Sequence, residues 1–171
     1  FSWREVSTAM MADNFLHSSW NIFYPEVSWT GPGPSYQGRE FQVLSYLSAL
    51  LNAAFGWHDW TGRAVASAFG LITTFSLHRL TARIWNEIHA HAAALCYAIL
   101  PAAVMIDTSY LPDPAMLALV TLGLWLFVLF AQTLNSEILI YATASLTLGV
   151  LAKLPGLSIA LAIAPILATI S

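Results

Sequence analysis

Residues 113–137 read DPAMLALVTLGLWLFVLFAQTLNSE, and the 23 residues between Asp113 and Glu137 carry no charge. A helix needs about 20 apolar residues to cross the hydrocarbon core of a bilayer. This stretch has that length, and its composition is apolar on every face. It is the clearest span in the chain. The whole chain shares its character, with 58% hydrophobic residues, 9% charged residues and a mean hydropathy of +0.68 over 171 residues. Soluble domains are about 45–50% apolar and about 25% charged. So few charges cannot cover a water-facing surface, which excludes a soluble globular domain. Twenty-two aromatic residues and a net charge of −3 exclude disorder. Six Lys and Arg residues form no basic patch for nucleic acid. The single cysteine, Cys96, excludes a disulfide framework. The expected fold class is therefore all-α, a polytopic transmembrane helical bundle.

Working outward from residues 113–137, the expected further spans are Ala92–Ile106, Ala64–Leu77, Ile138–Ala152 and Leu154–Ser171. Arg63, Arg79 and Arg83 flank the short Ala64–Leu77 segment, where arginines can snorkel to the interface. Phe41–Trp57 is apolar but interrupted by Gln42, Ser45, Ser48 and Asn52. It reads as a helix lying in the interface, with a full span as the runner-up. Ser7–Leu16 is expected to form a short helix, and Pro25 and the GPGP run at 31–34 to break regular structure up to Gly38. The organisation expected is an extracytoplasmic first loop with juxtamembrane helices over 1–60 and a transmembrane region over 61–171. The chain begins at Phe1 and stops inside an apolar run, so it reads as an N-terminal fragment, truncated at both ends.

Counting crossings fixes which charges share a side. With Phe41–Trp57 interfacial, Arg4, Glu5, Glu40, Asp113 and Lys153 face one compartment, and Arg79, Arg83 and Glu87 the other. The positive-inside rule makes the Arg79/Arg83 side cytoplasmic.

Three stretches carry a family signal. The first is WREVSTAMMADNFLHSSWNIFYP (3–25) followed by EFQVLSYLSALLNAAFGWHDWTGR (40–63). The second is ILPAAVMIDTSYLPDPAMLAL (99–119). The third is LGVLAKLPGLSIALAIAP (148–165). In order and spacing they resemble the GT-C membrane glycosyltransferases, in particular the aminoarabinose transferase, protein O-mannosyltransferase and RgtA/B/C/D-like group. The resemblance implies a GT-C-like bundle that moves a sugar, with inversion, from a polyprenyl-phosphate donor to an acceptor hydroxyl on the extracytoplasmic face. It places the protein in a bacterial plasma (inner) membrane. Its partners would be the donor lipid, a glycan, lipid or protein acceptor, and the bilayer, with no nucleic acid.

The resemblance also implies roles. Glu40 matches the glutamate ahead of the apolar helix, Asp113 the second-loop aspartate, and Lys153 the lysine that contacts donor phosphate. Glu5 matches the second residue of an Asp-Glu pair, whose first position, the catalytic aspartate, is Arg4 here. The catalytic set is then Glu5, Glu40 and Asp113, with Glu5 the expected base and Asp13 or Glu40 its substitutes. Arg4, Lys153 and Arg39 form the substrate-binding set. The residue types suit the reaction. A carboxylate takes the acceptor's proton, and cations balance charge developing on the phosphate leaving group. The sequence requires no cofactor; some relatives hold a divalent cation between acidic loops.

The same residues have plainer readings. Lys153 can mark a span boundary, Asp113 can cap the next helix, and Glu40 can complement a helix dipole. His89 and His91 lie two apart, a poor helical spacing for shared metal ligation. A transporter would bury charge at mid-membrane, and a non-catalytic scaffold or degenerate transferase would explain Arg4.

Overall fold

A computed structural model describes residues 3–29, 31, 33, 35–38 and 40–160. Among these the chain is helical, without a β-strand. Its elements are α1 (Trp3–His17), α2 (Val43–Phe55), α3 (Thr61–Ile84), α4 (Glu87–Ile99), α5 (Pro101–Asp107), α6 (Asp113–Thr133), α7 (Ser136–Ala152) and α8 (Gly156–Ala160). Arg39 and residues 161–171, most of the last expected span, lie outside the described residues.

By length and composition α6 can cross a membrane by itself. The other expected spans need correction. Ala64–Leu77 belongs to a longer helix, α3, whose 24 residues rise about 36 Å. It is long enough to cross, but Thr73, Thr74, Ser76, His78 and Arg79 keep it outside the apolar range of α6. Ala92–Ile106 is two helices. Pro101 cannot donate a backbone N–H, so the chain bends by 68° between α4 and α5. Together the pair is long and apolar enough for one bent span. Ile138–Ala152 is the 17-residue α7, apolar but short. Phe41–Trp57 contains only the 13-residue α2, whose rise of about 20 Å is too short for the full-span runner-up.

Small and hydroxyl side chains share the helix contacts with apolar ones, while many large apolar side chains face outward. The inner face of α2 holds Ser45, Ser48 and Asn52, while Leu47 and Leu50 point out. On α3, Gly70, Thr73 and Ser76 are buried while Leu71 and Phe75 are exposed. Helices that pack within lipid use small and hydroxyl residues at their contacts, because leucine loses nothing by facing acyl chains. The Ser45 hydroxyl donates to the Thr8 carbonyl (3.1 Å), joining α2 to α1. The Ser145 hydroxyl donates to the Leu119 carbonyl (2.7 Å), joining α7 to α6. Gly149 lets Val120 approach, and a Cβ there would lie 2.6 Å from its methyl group.

Two clusters position the N-terminal segment. Met11, Ala12 and Phe15 of α1, spaced along one helix face, pack with Val27 and Ala49. Leu44 of α2 packs with Val65, Ala66 and Phe69 of α3 and with Ala115 and Ala118 of α6. An antiparallel bridge between Glu26 and Tyr36 closes the intervening loop. Short caps turn the helices at the other end. Asn86 accepts from the His89 amide, and Asn135 accepts from the Glu137 amide after Leu134 adopts a left-handed conformation (φ 51°).

Candidate active site

Six contacts gather distant charges and the segments that carry them at one end of the bundle. Arg4, in the first turn of α1, donates to Glu40 Oε1 at 2.5 Å. The next residue, Glu5, turns to another side of α1. Its Oε1 accepts from the Tyr110 amide (3.2 Å) and lies 3.8 Å from Arg63 Nη2. Asp113, at the start of α6, accepts from Lys153 Nζ at 2.5 Å, just past the end of α7. The Phe41 amide donates to the Leu151 carbonyl (2.9 Å), which seats the Glu40 segment beside the end of α7. Arg63 also donates to the Thr108 carbonyl (3.1 Å), so the start of α3 meets the end of α5. In this arrangement α3 leads away and α4–α5 returns, then α6 leads away and α7 returns.

The two cations differ in setting. The Lys153 and Asp113 side chains are 16% and 23% exposed, whereas Arg4 is 55% exposed against 16% for Glu40. Two cavities flank the start of α1. One, about 270 Å³, has Arg4, Glu40, Gln42 and Pro112 among its walls. The other, about 350 Å³, is lined by Glu5, Asn52, Trp57, His58, Arg63 and Tyr110 among others. Arg4 and Glu5 therefore serve different cavities. Asp113 and Lys153 adjoin the first through Pro112 but are not among its walls. Glu5, Glu40 and Asp113 thus share one end of the molecule without sharing one cavity.

Asp13, a substitute base from the sequence, lies two turns along α1 and pairs with His17 (2.9 Å). Arg63, expected as a snorkelling span boundary, instead turns to Glu5 and Thr108. Tyr110 is the residue that sequence reasoning missed. Its amide holds Glu5, and its ring packs over Gly62, where any Cβ would collide with it. Burial pushes its phenol up to about 12, against a smaller downward pull from Ser48. The signal available in the sequence is that Tyr110 is the one aromatic residue between Asp107 and Asp113.

A comparison with protein families decides the identity. The sequence model described as dolichyl-phosphate-mannose-protein mannosyltransferase matches residues 42–170. The chain belongs to the dolichyl-phosphate-mannose-protein mannosyltransferase family. This is a family of GT-C-type membrane glycosyltransferases, in agreement with the resemblance drawn from the three motif stretches. The mannosyltransferase match covers α2 through α8, with Arg63, Asp113 and Lys153 inside it. Arg4, Glu5 and Glu40 precede it and reach the family core through their contacts with Arg63, Tyr110 and the Phe41–Leu151 hydrogen bond. No curated protein and no solved structure matches the chain.

Proposed function

We propose that this chain carries the transfer site of a glycosyltransferase. It would move a sugar from a polyprenyl-phosphate donor to an acceptor hydroxyl on the extracytoplasmic face of a bacterial plasma membrane. The reading rests on one observation above all. Acids and cations from α1, from residue 40, from the 107–113 loop and from the end of α7 converge at one end of a bundle whose outer faces are apolar. A donor whose chain stays in the bilayer and whose phosphate reaches the surface needs such a border.

In this reading α3, α4–α5, α6 and α7 cross the membrane, with Arg79 and Arg83 on the cytoplasmic side. Lys153 meets the donor phosphate. An ammonium group has three protons; Asp113 takes one and aims the others. Arg4 lines the neighbouring cavity, where it balances leaving-group charge. Glu5, fixed by the Tyr110 amide, is the base; the acceptor hydroxyl reaches it from the second cavity and meets, across the first turn of α1, the donor sugar that enters from the first. Glu40 orients Arg4. The anomeric carbon is displaced directly: the acceptor oxygen forms the new bond, the polyprenyl phosphate leaves with its electron pair, and the acceptor proton goes to Glu5. No step here requires a metal ion.

The second reading, a non-catalytic scaffold, is favoured by the pairing itself, since Arg4 and Lys153 are each engaged by a carboxylate of the same chain. Full-length protein in liposomes, given labelled polyprenyl-phosphate sugars and a candidate glycan or lipid acceptor, separates the two. Transfer that Glu5→Gln lowers by about 10²-fold or more, with donor binding retained, supports the enzyme. No transfer, together with lipid binding unchanged by Lys153→Ala, supports the scaffold.

A further inference from the structure

At the opposite end of α3 and α4 from Glu5, three side chains converge that the transfer site does not use. His78 lies near the end of α3, and Glu87 and His91 lie in the first turns of α4. Each can offer one ligand atom, and these three atoms lie within 4.8 Å of one another. His78 Nε2 is 3.6 Å from Glu87 Oε2, and the two imidazole rings stand edge-to-face at 4.8 Å. We propose that His78, Glu87 and His91 form a binding site for a zinc-class divalent cation that clips α3 to α4 across the Trp85–Asn86 turn.

The chemistry of the donor set fits this ion. Two imidazoles and one carboxylate make a borderline nitrogen–oxygen set, and zinc accepts such ligands with a water in the fourth position. Bond lengths of about 2.0–2.2 Å place tetrahedral ligand atoms about 3.4 Å apart. The present separations therefore need only side-chain adjustments of about an ångström, on groups that are partly or fully exposed.

Two details prepare the site. Glu87 and His91 are four apart, so one helical face presents both. His91 Nδ1 lies 2.6 Å from the Glu87 carbonyl oxygen. A carbonyl only accepts, so Nδ1 carries the proton and Nε2 keeps the lone pair that a metal needs. A backbone carbonyl fixing the tautomer in this way is the usual support of a ligating histidine.

Neighbouring cations face elsewhere. Arg79 sits over the Trp125 ring at 5.8 Å, and Arg83 donates to Gln132 on α6. His89 is occupied at the helix cap, with Nδ1 2.8 Å from Asn86 Oδ1. The histidines two apart in sequence, His89 and His91, are thus not the pair the fold brings together.

The test uses tag-free full-length protein in detergent, stripped with a chelator and titrated with Zn²⁺ against a chromophoric competitor. Co²⁺ absorption in the visible range gives a second readout of coordination. Wild type should bind one equivalent at micromolar affinity or better. His78→Ala and His91→Ala should each weaken binding at least tenfold and abolish the cobalt spectrum, while His89→Ala binds as wild type. Circular dichroism confirms that each variant is folded, and Glu87→Gln serves where an alanine variant is not. Wild type without a tight site, or a series in which His78 and His91 do not both matter or in which His89 matters equally, overturns the proposal.

Discussion

Replacing Lys153 by methionine leaves the Asp113 carboxylate without its cation in a setting where water reaches only part of it. At 2.5 Å and an effective dielectric of 20, the Coulomb attraction is about 6–7 kcal/mol before desolvation is subtracted. Pairs in open solvent retain about 0–1 kcal/mol, and breaking a fully buried pair costs about 3–5 kcal/mol. With 16% and 23% exposure, this pair falls between the two. Lys153→Met should therefore cost about 2–3 kcal/mol, and Asp113→Asn a comparable or smaller amount. The double variant removes both charges, so it should be more stable than the sum of the single losses by about 2 kcal/mol. The assay is denaturant or thermal unfolding of the full-length protein in micelles, run as a double-mutant cycle. A coupling below about 0.5 kcal/mol would refute the pairing argument. The same variants separate structure from chemistry. If Lys153 meets donor phosphate, the double variant regains stability without regaining donor binding or transfer. Recovery of transfer in the double variant would reduce Lys153 to a structural partner of Asp113.

The Arg4–Glu40 pair should behave differently. Arg4 is more than half exposed, so Arg4→Ala should change stability by no more than about 1 kcal/mol, while donor binding falls; a stability loss rivalling that of Lys153→Met would contradict this. Gly62→Ala should displace the Tyr110 ring and, through its amide, the Glu5 carboxylate. Transfer should then drop more than donor binding, and unchanged kinetics would show that the ring has room to move. Gly70→Ala places a methyl group 2.6 Å from the Asp107 side chain, and should destabilise by about 1–3 kcal/mol in the same unfolding assay. Tyr110 titrates near 12 when folded, against about 10 when unfolded. The unfolded chain therefore loses this proton first as pH rises. The stability from burying the neutral phenol is complete below pH 10 and is lost between pH 10 and 12. Tyr110→Phe should make the fall of unfolding stability across that window shallower, and an identical slope in wild type and variant would refute it.

Much of the architecture was legible because a bilayer rewards composition directly. The uncharged run between Asp113 and Glu137 specified α6 with no knowledge of its neighbours, since length and apolarity alone meet the requirement of a span. The three motif stretches gave the family for a similar reason, as local residue order survives in a sequence. The expected count of passes puts Glu40, Asp113 and Lys153 on one side, and the contacts of the folded chain gather them at one end. Other features depended on side chains meeting across helices, which no local pattern encodes. The inward serines of α2, the turning of Arg63 to Glu5 and the use of the Tyr110 amide arise only when α1, α3 and the 107–113 loop are packed together. The same holds for His91. Its neighbour in sequence, His89, points around the helix to a cap, whereas Glu87 one turn away and His78 from the preceding helix share its face. The sequence by itself determined which segments are apolar and which charges exist, because hydropathy is a property of the residue. Only the tertiary structure decided which charges meet, because a 2.5 Å contact between residues 40 positions apart is a property of packing.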